Sequence, residues 1–437
     1  MTQNTVKQNS SSYFPSIGFS LLFIGLPLSW MLRSTIGQQG ERLFSMAMIT
    51  FACLLLPNWS RVFAGRSVLS RSPVVVCVEL FFLYLILWTI VSTDSGTLAF
   101  DSLLPIFLLP IVLSFSTPID LVALPRTFAC LSTCVSLLIL AVEGSATLAA
   151  ASTERISVGD AGSPNQVSFV GGITVVTNLF LLVSQRASPR SSPLLLIVGA
   201  CAGAVVVVLT QTRSTIIGLV VCLVAILTVL STRATRKVAW HQTRMVVLLL
   251  VAASATLVIF DFSPGQTPAA ELVTTHAESL QDYFYKGYLA YFKGQDEVEV
   301  SASTRRLLRD QAWQGLSVSG HGFQSLYIDL PILQAFYDGG LVFGLCYSLV
   351  TLLAPLIIIS RRLKGAATAD PPMQLACITY LFYMPNLFVH GQPFDYTVLL
   401  PISTFYGVLI LSPRPNVETR HIESRANQSM IPLLIRK

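Results

Sequence analysis

Charged residues are scarce in this sequence and make up only 11% of its 437 positions. A soluble domain carries about 25% charged residues. Here 53% of the residues are hydrophobic and the mean hydropathy is +0.67. The shortage of charge excludes an ordinary soluble domain and indicates an integral membrane protein.

Several functional motifs are also missing. The sequence has no Asp-x-Asp pair, no Walker loop, no dinucleotide glycine fingerprint and no His-Glu-x-x-His. Its eight cysteines all fall inside apolar runs, without metal-type spacing or a disulfide framework, and are typical of small buried side chains. These absences disfavour a nucleotide-sugar donor bound through a metal, and we expect neither a metal nor a cofactor.

About twelve apolar runs predict an all-α, polytopic membrane protein. The predicted spans lie near residues 14–32, 43–58, 73–92, 99–116, 122–142, 166–184, 193–210, 215–231, 245–260, 339–360, 373–390 and 396–412. Spans 1–9 with short loops then occupy residues 1–260. A large polar loop follows at 261–338, spans 10–12 lie within 339–412, and a polar tail covers 413–437.

Basic residues predict the orientation of these spans. The net charge is +6, but the basic residues are scattered over short connections, so we expect membrane lipids as neighbours and no nucleic acid. With the N-terminus in the cytoplasm, most of the 28 Lys and Arg residues fall on the inner side, as the positive-inside rule requires. Both termini are then cytoplasmic, and the loop 261–338 faces outward.

A very tight hairpin, Thr210-Gln211-Thr212-Arg213-Ser214-Thr215, joins the predicted spans 7 and 8 on the outer side. Arg213 has apolar runs on both sides of it. A guanidinium in such a place is costly unless it reaches the headgroup region or binds an anion. Arg213 is therefore either an interfacial anchor or part of an anion site.

Three arginines lie within five residues in the large loop, at Arg305, Arg306 and Arg309. The surrounding segment 303–313 is predicted to be helical. Arginine binds phosphate through a planar fork and keeps its charge in any surroundings. The alternatives are a phosphate site and a solvated charged face.

Two further segments carry candidate acid–base groups. Ser319-Gly320-His321-Gly322-Phe323-Gln324 predicts a tight turn in which His321 is either a general base or a histidine without a chemical role. The segment 327–340 leads into span 10, and its Asp329 is either an acid–base residue near the membrane surface or an ordinary helix cap beside Pro331. Gln324 and Tyr327, between them, are candidate substrate contacts.

In their order along the chain, five segments resemble motifs of the O-antigen polymerase and O-antigen ligase superfamily of bacterial envelopes. The resemblance covers roughly residues 155–412. The matching segments are Ser-Pro-Asn-Gln at 163–166, the Thr-Arg-Ser hairpin at 212–214, the Ser-x-x-Arg helix start at 303–306, the turn Gly-His-Gly-Phe at 320–323, which resembles the family's Gly-x-Gly-x-Phe, and the Leu-Gln-x-x-x-x-Gly-Gly segment at 333–340.

The resemblance implies a metal-independent membrane glycosyltransferase of the bacterial inner membrane. Its donor would be an oligosaccharide on undecaprenyl pyrophosphate at the periplasmic face, and its partners a chain-length regulator and a flippase. The resemblance assigns pyrophosphate or substrate binding to Arg213, Arg306, Arg309, Gln324 and Tyr327. The catalytic candidates are Arg305, with either Asp329 or His321 as the residue that accepts the proton of the acceptor hydroxyl.

One departure from the family bears on the reaction. Ligases of the family carry a His-Asn pair four residues before the Leu-Gln/Glu dipeptide, where this chain has Asp329 and Leu330. The mismatch favours a polymerase over a ligase, which would transfer finished glycan to lipid A core. A lipid-linked oligosaccharide flippase is the alternative from another class, although such transporters usually place ionisable residues at mid-membrane.

Overall fold

A computed structural model describes residues 14–56, 59, 123–144, 164–184, 193–210, 212–233, 285–286, 300–322, 325–364, 371–389, 391, 393 and 396–411. Within these ranges the chain is 89% helical without strands, which confirms the all-α class. Four described helices are long and apolar enough to cross a membrane, at Leu124–Glu143, Pro164–Leu182, Pro193–Thr210 and Pro331–Arg362. The spans predicted at 73–92, 99–116 and 245–260 lie outside the described residues.

The described helices are numbered in chain order. They are α1 (Phe14–Leu55), α2 (Leu124–Ile139), α3 (Pro164–Ser184), α4 (Pro193–Thr210), α5 (Arg213–Arg233), α6 (Val300–Gln314), α7 (Pro331–Ser348), α8 (Ala354–Lys364), α9 (Pro371–Tyr383), α10 (Asn386–Val389) and α11 (Tyr396–Leu411). Short π-helical turns follow α2 at Leu140–Gly144 and α7 at Leu349–Leu353.

Proline and glycine determine where several helices begin and break. The helices α3, α4, α7 and α9 each begin at a proline, whose fixed φ suits the first turn and whose missing N–H is not needed there. Gly37, with φ +71°, breaks α1 between the predicted runs 14–32 and 43–58. Gly340, with φ +78°, breaks α7 close to the predicted start of a span at 339, although the helix itself begins earlier, at Pro331.

The tightest packing joins α3 to α4. A Cβ added to Gly171 would lie 2.8 Å from the carbonyl oxygen of Gly203, and one added to Gly203 would lie 2.5 Å from that of Gly171. The two backbones therefore touch where neither residue has a side chain. Small residues at helix crossings are typical of membrane proteins, because close approach gains van der Waals contact that lipid cannot supply.

Polar side chains join α2 to α3 within the same bundle. The hydroxyls of Ser136 and Thr174 lie 2.9 Å apart, and the Asn178 amide donates to the Thr133 hydroxyl at 3.1 Å. All four side chains are buried. These bonds satisfy polar groups that would be costly to leave unpaired in an apolar interior.

The helices α5 and α9 run antiparallel. A Cβ on Gly218 of α5 would lie 2.3 Å from the carbonyl oxygen of Phe382 in α9. Four residues later in α5, the Cys222 thiol donates to the carbonyl of Ile378, which lies four residues earlier in α9. The same register places the start of α5, at Arg213, level with α10, which contacts α5. This end of the bundle carries the candidate site.

Candidate functional site

The carboxylate of Asp329 joins three separate parts of the chain. Its Oδ2 accepts a hydrogen bond from Arg305 Nε at 2.8 Å, which is also an ion pair. Its Oδ1 accepts from the backbone N–H of Gly391 at 2.8 Å and from the Tyr327 hydroxyl at 3.3 Å. The Asp329 side chain is only 8% exposed, so these donors replace water around a buried charge.

Asp329 does not cap α7, so that interpretation of the sequence is wrong. The N-cap residue is Leu330, and no side chain makes a capping hydrogen bond there. Asp329 itself has φ +58°, and within the described part of the chain it is the one non-glycine residue with positive φ. Aspartate tolerates this conformation better than most residues, and here it turns the carboxylate towards Arg305 and Gly391.

Arg305 reaches Asp329 because α6 is docked on the segment before α7. Ala312 of α6 is fully buried against Ile328, Leu330 and Leu333. Arg305 lies two turns earlier on the same helix, and its side chain is 30% exposed. Its bond to Asp329 uses Nε, and within the described residues its two terminal nitrogens have no hydrogen bond, which leaves donors for a ligand.

The turn around His321 is built from glycines, as the sequence predicts. Gly320 and Gly322 have φ of +77° and +97°. A Cβ on Gly320 would lie 2.2 Å from the Asp338 carbonyl oxygen, and one on Gly340 would lie 2.2 Å from that of Val318. The turn is therefore pressed directly against the break in α7.

The structure does not bring His321 to Asp329. The His321 ring is exposed and stacks on Tyr337, with ring centroids 4.4 Å apart. Its Nε2 lies within hydrogen-bond distance of the Gly315 carbonyl oxygen. The imidazole thus has packing and hydrogen-bonding partners other than the Arg305–Asp329 pair.

The remaining predicted site residues are dispersed. Arg309 makes two hydrogen bonds to the neighbouring Asp310, at 3.0 and 2.9 Å, and Arg306 is partly buried on the same helix. Tyr327 is half-exposed, with its hydroxyl on Asp329. Gln324 and the side chain of Arg213 lie outside the described residues.

The backbone of Arg213 nevertheless lies at the same end of the bundle as Asp329. Helix α5 begins at Arg213, and just before it the Thr212 hydroxyl reaches the carbonyl of Pro164 at 3.4 Å. The start of α5 packs beside α10, and Gly391, which donates to Asp329, lies two residues after the end of α10. The predicted anion hairpin and the Arg305–Asp329 pair therefore share one face of the protein.

Two buried polar residues on α7 were missed in the sequence. Gln334 and Asp338 are both fully buried, and Gln334 Nε2 donates to Asp338 Oδ2 at 3.0 Å. Polar residues four positions apart at the start of an otherwise apolar span share one helix face, and that spacing is the signal that would have identified them. Both hold the chain that leads to Asp329.

Chemically, the site is an arginine side chain, Arg305, held in place by the buried carboxylate of Asp329. Arg305 can offer its terminal N–H groups to an anion while Asp329 holds its orientation. The Asp329 oxygens accept hydrogen bonds from Arg305, Gly391 and Tyr327, and these three donors fix the orientation of the carboxylate. Within the described residues, no three His, Cys, Asp or Glu side chains lie together as metal ligands.

No family model matches this chain, and comparisons with curated proteins and with solved structures find no match. The likeness to the O-antigen polymerase and ligase superfamily therefore rests on the five motifs and their order along the chain. Two of the matching segments, the helix start at 303–306 and the segment 333–340, contain residues of the site, Arg305 and Gln334.

Proposed function

We propose that this protein is a membrane glycosyltransferase that polymerises O-antigen or a related surface polysaccharide. Its donor is a glycan on undecaprenyl pyrophosphate at the periplasmic face of the bacterial inner membrane, and both of its termini are cytoplasmic. The observation that carries the proposal is the ion pair between Arg305 of α6 and the buried Asp329, at the end of the bundle where α5 begins with Arg213.

In the proposed reaction, a hydroxyl oxygen of the acceptor repeat unit forms a bond to the anomeric carbon of the donor sugar. The bond from that carbon to the pyrophosphate oxygen breaks, and the pyrophosphate leaves with the electron pair. Negative charge grows on the leaving group, so a cation fixed in advance lowers the barrier. Arg305, oriented by Asp329, supplies that cation, and Arg213 adds a second from the hairpin.

The acceptor proton needs a base, for which Asp329 and His321 are the candidates. Asp329 lies beside Arg305, whereas His321 stacks on Tyr337 away from the pair. We therefore assign Asp329 the two tasks of holding Arg305 and receiving the proton of the acceptor hydroxyl. His321→Ala is expected to retain polymerisation, while Asp329→Asn removes it.

The decisive experiment is complementation of a strain that lacks its own polymerase. Arg305→Ala should insert normally in the membrane, as measured by immunoblotting, and should abolish the ladder of long chains on a gel. Gln314→Ala is the control: it lies exposed on the same helix and has no place in the proposed site, so the ladder should persist. A normal ladder from Arg305→Ala contradicts the proposed role of the arginine.

The product that accumulates without the protein identifies the reaction class. Loss of a polymerase leaves single repeat units attached to lipid A core. Loss of a ligase leaves unattached lipid-linked polymer. Purified protein with lipid-linked repeat units should extend chains without an added nucleotide sugar or metal. A transporter would give no extension in that assay.

A further inference from the structure

The Gln334 side chain fastens the segment before Asp329 to α7. It is fully buried. Its Oε1 accepts from the backbone N–H of Ile328 at 2.9 Å, and its Nε2 donates to the carbonyl of Leu326 and to Asp338 Oδ2. One carboxamide therefore holds the chain on both sides of Tyr327 and up to the residue before Asp329.

Asp338 extends this hold towards the glycine turn. Its Oδ1 accepts from the Ser325 hydroxyl at 3.3 Å. Its backbone carbonyl accepts from the N–H groups of His321 and Gly322, at 3.1 and 3.0 Å. Gln334 and Asp338 together connect α7 to most of the chain between the turn and Asp329.

These hydrogen bonds are needed because the backbone conformation of Asp329 is strained. A non-glycine residue with φ +58° keeps that conformation only where its surroundings determine it. The apolar support nearby is small: among the described residues, the cluster beneath α6 has four buried members, Ala312, Ile328, Leu330 and Leu333. The hydrogen bonds of Gln334 end at Ile328, immediately before the strained residue.

We infer that Gln334 is a positioning residue, whose carboxamide sets Asp329, and through it Arg305, in the geometry that the reaction needs. The inference rests on the proposed polymerase activity, because it assigns Gln334 a task in that reaction. Gln334 touches neither Asp329 nor Arg305 directly, so its effect passes through the backbone at Ile328.

The chemistry of an amide makes the inference testable by a change of one atom. Gln334 both accepts from Ile328 and donates to two acceptors, Leu326 and Asp338. A glutamate at this position can donate only when it is protonated. As an anion it would meet the Asp338 carboxylate, and a like charge at that distance favours keeping the proton.

The charged and titratable groups around Gln334 come from three elements. Asp338 lies on the same helix and bonds to it directly, while Tyr337 stacks on His321 of the glycine turn. Asp329 and Arg305 form their own pair one residue beyond Ile328. Asp338 is the one charged group in direct contact with Gln334 among the described residues, so it dominates the protonation of the carboxyl that Gln334→Glu introduces.

Chain extension by purified protein is measured from about pH 5.5 to about pH 8, a range that spans the titration of a carboxyl raised by a neighbouring charge. Gln334→Met keeps the shape but makes none of the bonds, and its rate should fall about a hundredfold at every pH. Gln334→Glu should be active at the acid end and lose activity as the pH rises. Gln311→Met, on the exposed face of α6, should behave like the wild type.

A double variant separates this interpretation from general damage. In Gln334→Glu with Asp338→Asn, the amide and the carboxylate exchange places and the like charge is gone. The activity lost at neutral pH should partly return. If the substitutions only weakened the fold, the double variant would lose more activity than either single variant. Changing the pH of one sample of Gln334→Glu would then not restore its activity.

Hydrogen exchange keeps the inference testable if the reaction itself is misassigned. In Gln334→Met the backbone N–H of Ile328 should exchange faster than in the wild type, while α3 and α4 stay protected. Faster exchange with no chain extension by the wild type would refute the polymerase but retain the positioning role. The inference would be overturned if Gln334→Met extended chains at the wild-type rate with wild-type exchange of the Ile328 N–H. It would also be overturned if the activity of Gln334→Glu did not change with pH.

Discussion

The helix bundle and the α6 layer, meaning α6 with residues 315–330, are held together by opposite means. In the bundle, α3 and α4 touch at Gly171 and Gly203, where neither residue has a side chain. In the α6 layer, the contacts depend on particular polar side chains, chiefly the Arg305–Asp329 pair and the bonds of Gln334. The apolar cluster beneath α6 is small by comparison.

The difference follows from the surroundings of each region. Between helices in lipid there is no hydrophobic gain from burying an apolar side chain, so stability comes from close backbone packing. A thin layer on the end of a bundle buries too little apolar area to be held that way, and its hydrogen bonds must define its position. The bundle should therefore suffer most when atoms are added, and the α6 layer when polar atoms are removed.

The largest effect is expected from Gly203→Val. Its Cβ would lie 2.5 Å from the Gly171 carbonyl oxygen, and backbone cannot move aside without separating α3 from α4. We expect a loss of about 3 kcal/mol in the free energy of unfolding, measured in detergent micelles. Gly25→Ala is the control, because its nearest atom would be Met48 Cβ at 3.4 Å. Equal stability of Gly203→Val and the wild type would refute the role of the glycine crossing.

An intermediate effect is expected from Gly320→Ala. The residue has φ +77°, and an added Cβ would collide with the Asp338 carbonyl. The left-handed backbone alone costs about 1–2 kcal/mol. Hydrogen exchange should rise across residues 315–330 and polymerisation should fall, while the melting temperature of the bundle stays the same.

Ser319→Ala is the control for this variant, since Ser319 is exposed beside the same turn. If Gly320→Ala lowered the melting temperature of the bundle as well, the two regions would form a single cooperative unit. The comparison between them would then have to be abandoned.

The smallest effect is expected from Ser136→Ala in the bundle. Thr174 loses the bond to the Ser136 hydroxyl but keeps those to the carbonyls of Ser132 and Val170. Interhelical hydrogen bonds of this kind contribute about 0.6 kcal/mol on average. The same unfolding measurement should show a loss near this value, and a loss above about 2 kcal/mol would mean that the bundle depends on polar bonds too.

Local features of the fold could be predicted from the sequence. The tight hairpin is confirmed, since α4 ends at Thr210 and α5 begins at Arg213. The predicted loop helix at 303–313 lies within α6, and the turn around His321 has the positive φ angles that its glycines indicate. Each of these depends on residues close together in the chain.

The pairing within the site could not be predicted. Asp329 bonds to Arg305, 24 positions away, and to Gly391, 62 positions away. Nothing in the local sequence around Asp329 distinguishes this role from that of a cap beside Pro331, because the partners are brought close only by the docking of α6 and the register of α10. Arg305 and Asp329 were identified as separate candidates, and their contact is a property of the folded chain.

Gly320 of the turn and Gly340 at the break in α7 lie against each other, and this contact limits which substitutions the sequence can accept. A side chain on Gly340 would strike Val318 and the backbone of Gly320, and a side chain on Gly320 would strike Asp338 and the backbone of Gly340. Neither position can be altered first to make room for the other. We therefore expect descendants of this gene to inherit both glycines together, however far the surrounding helices drift.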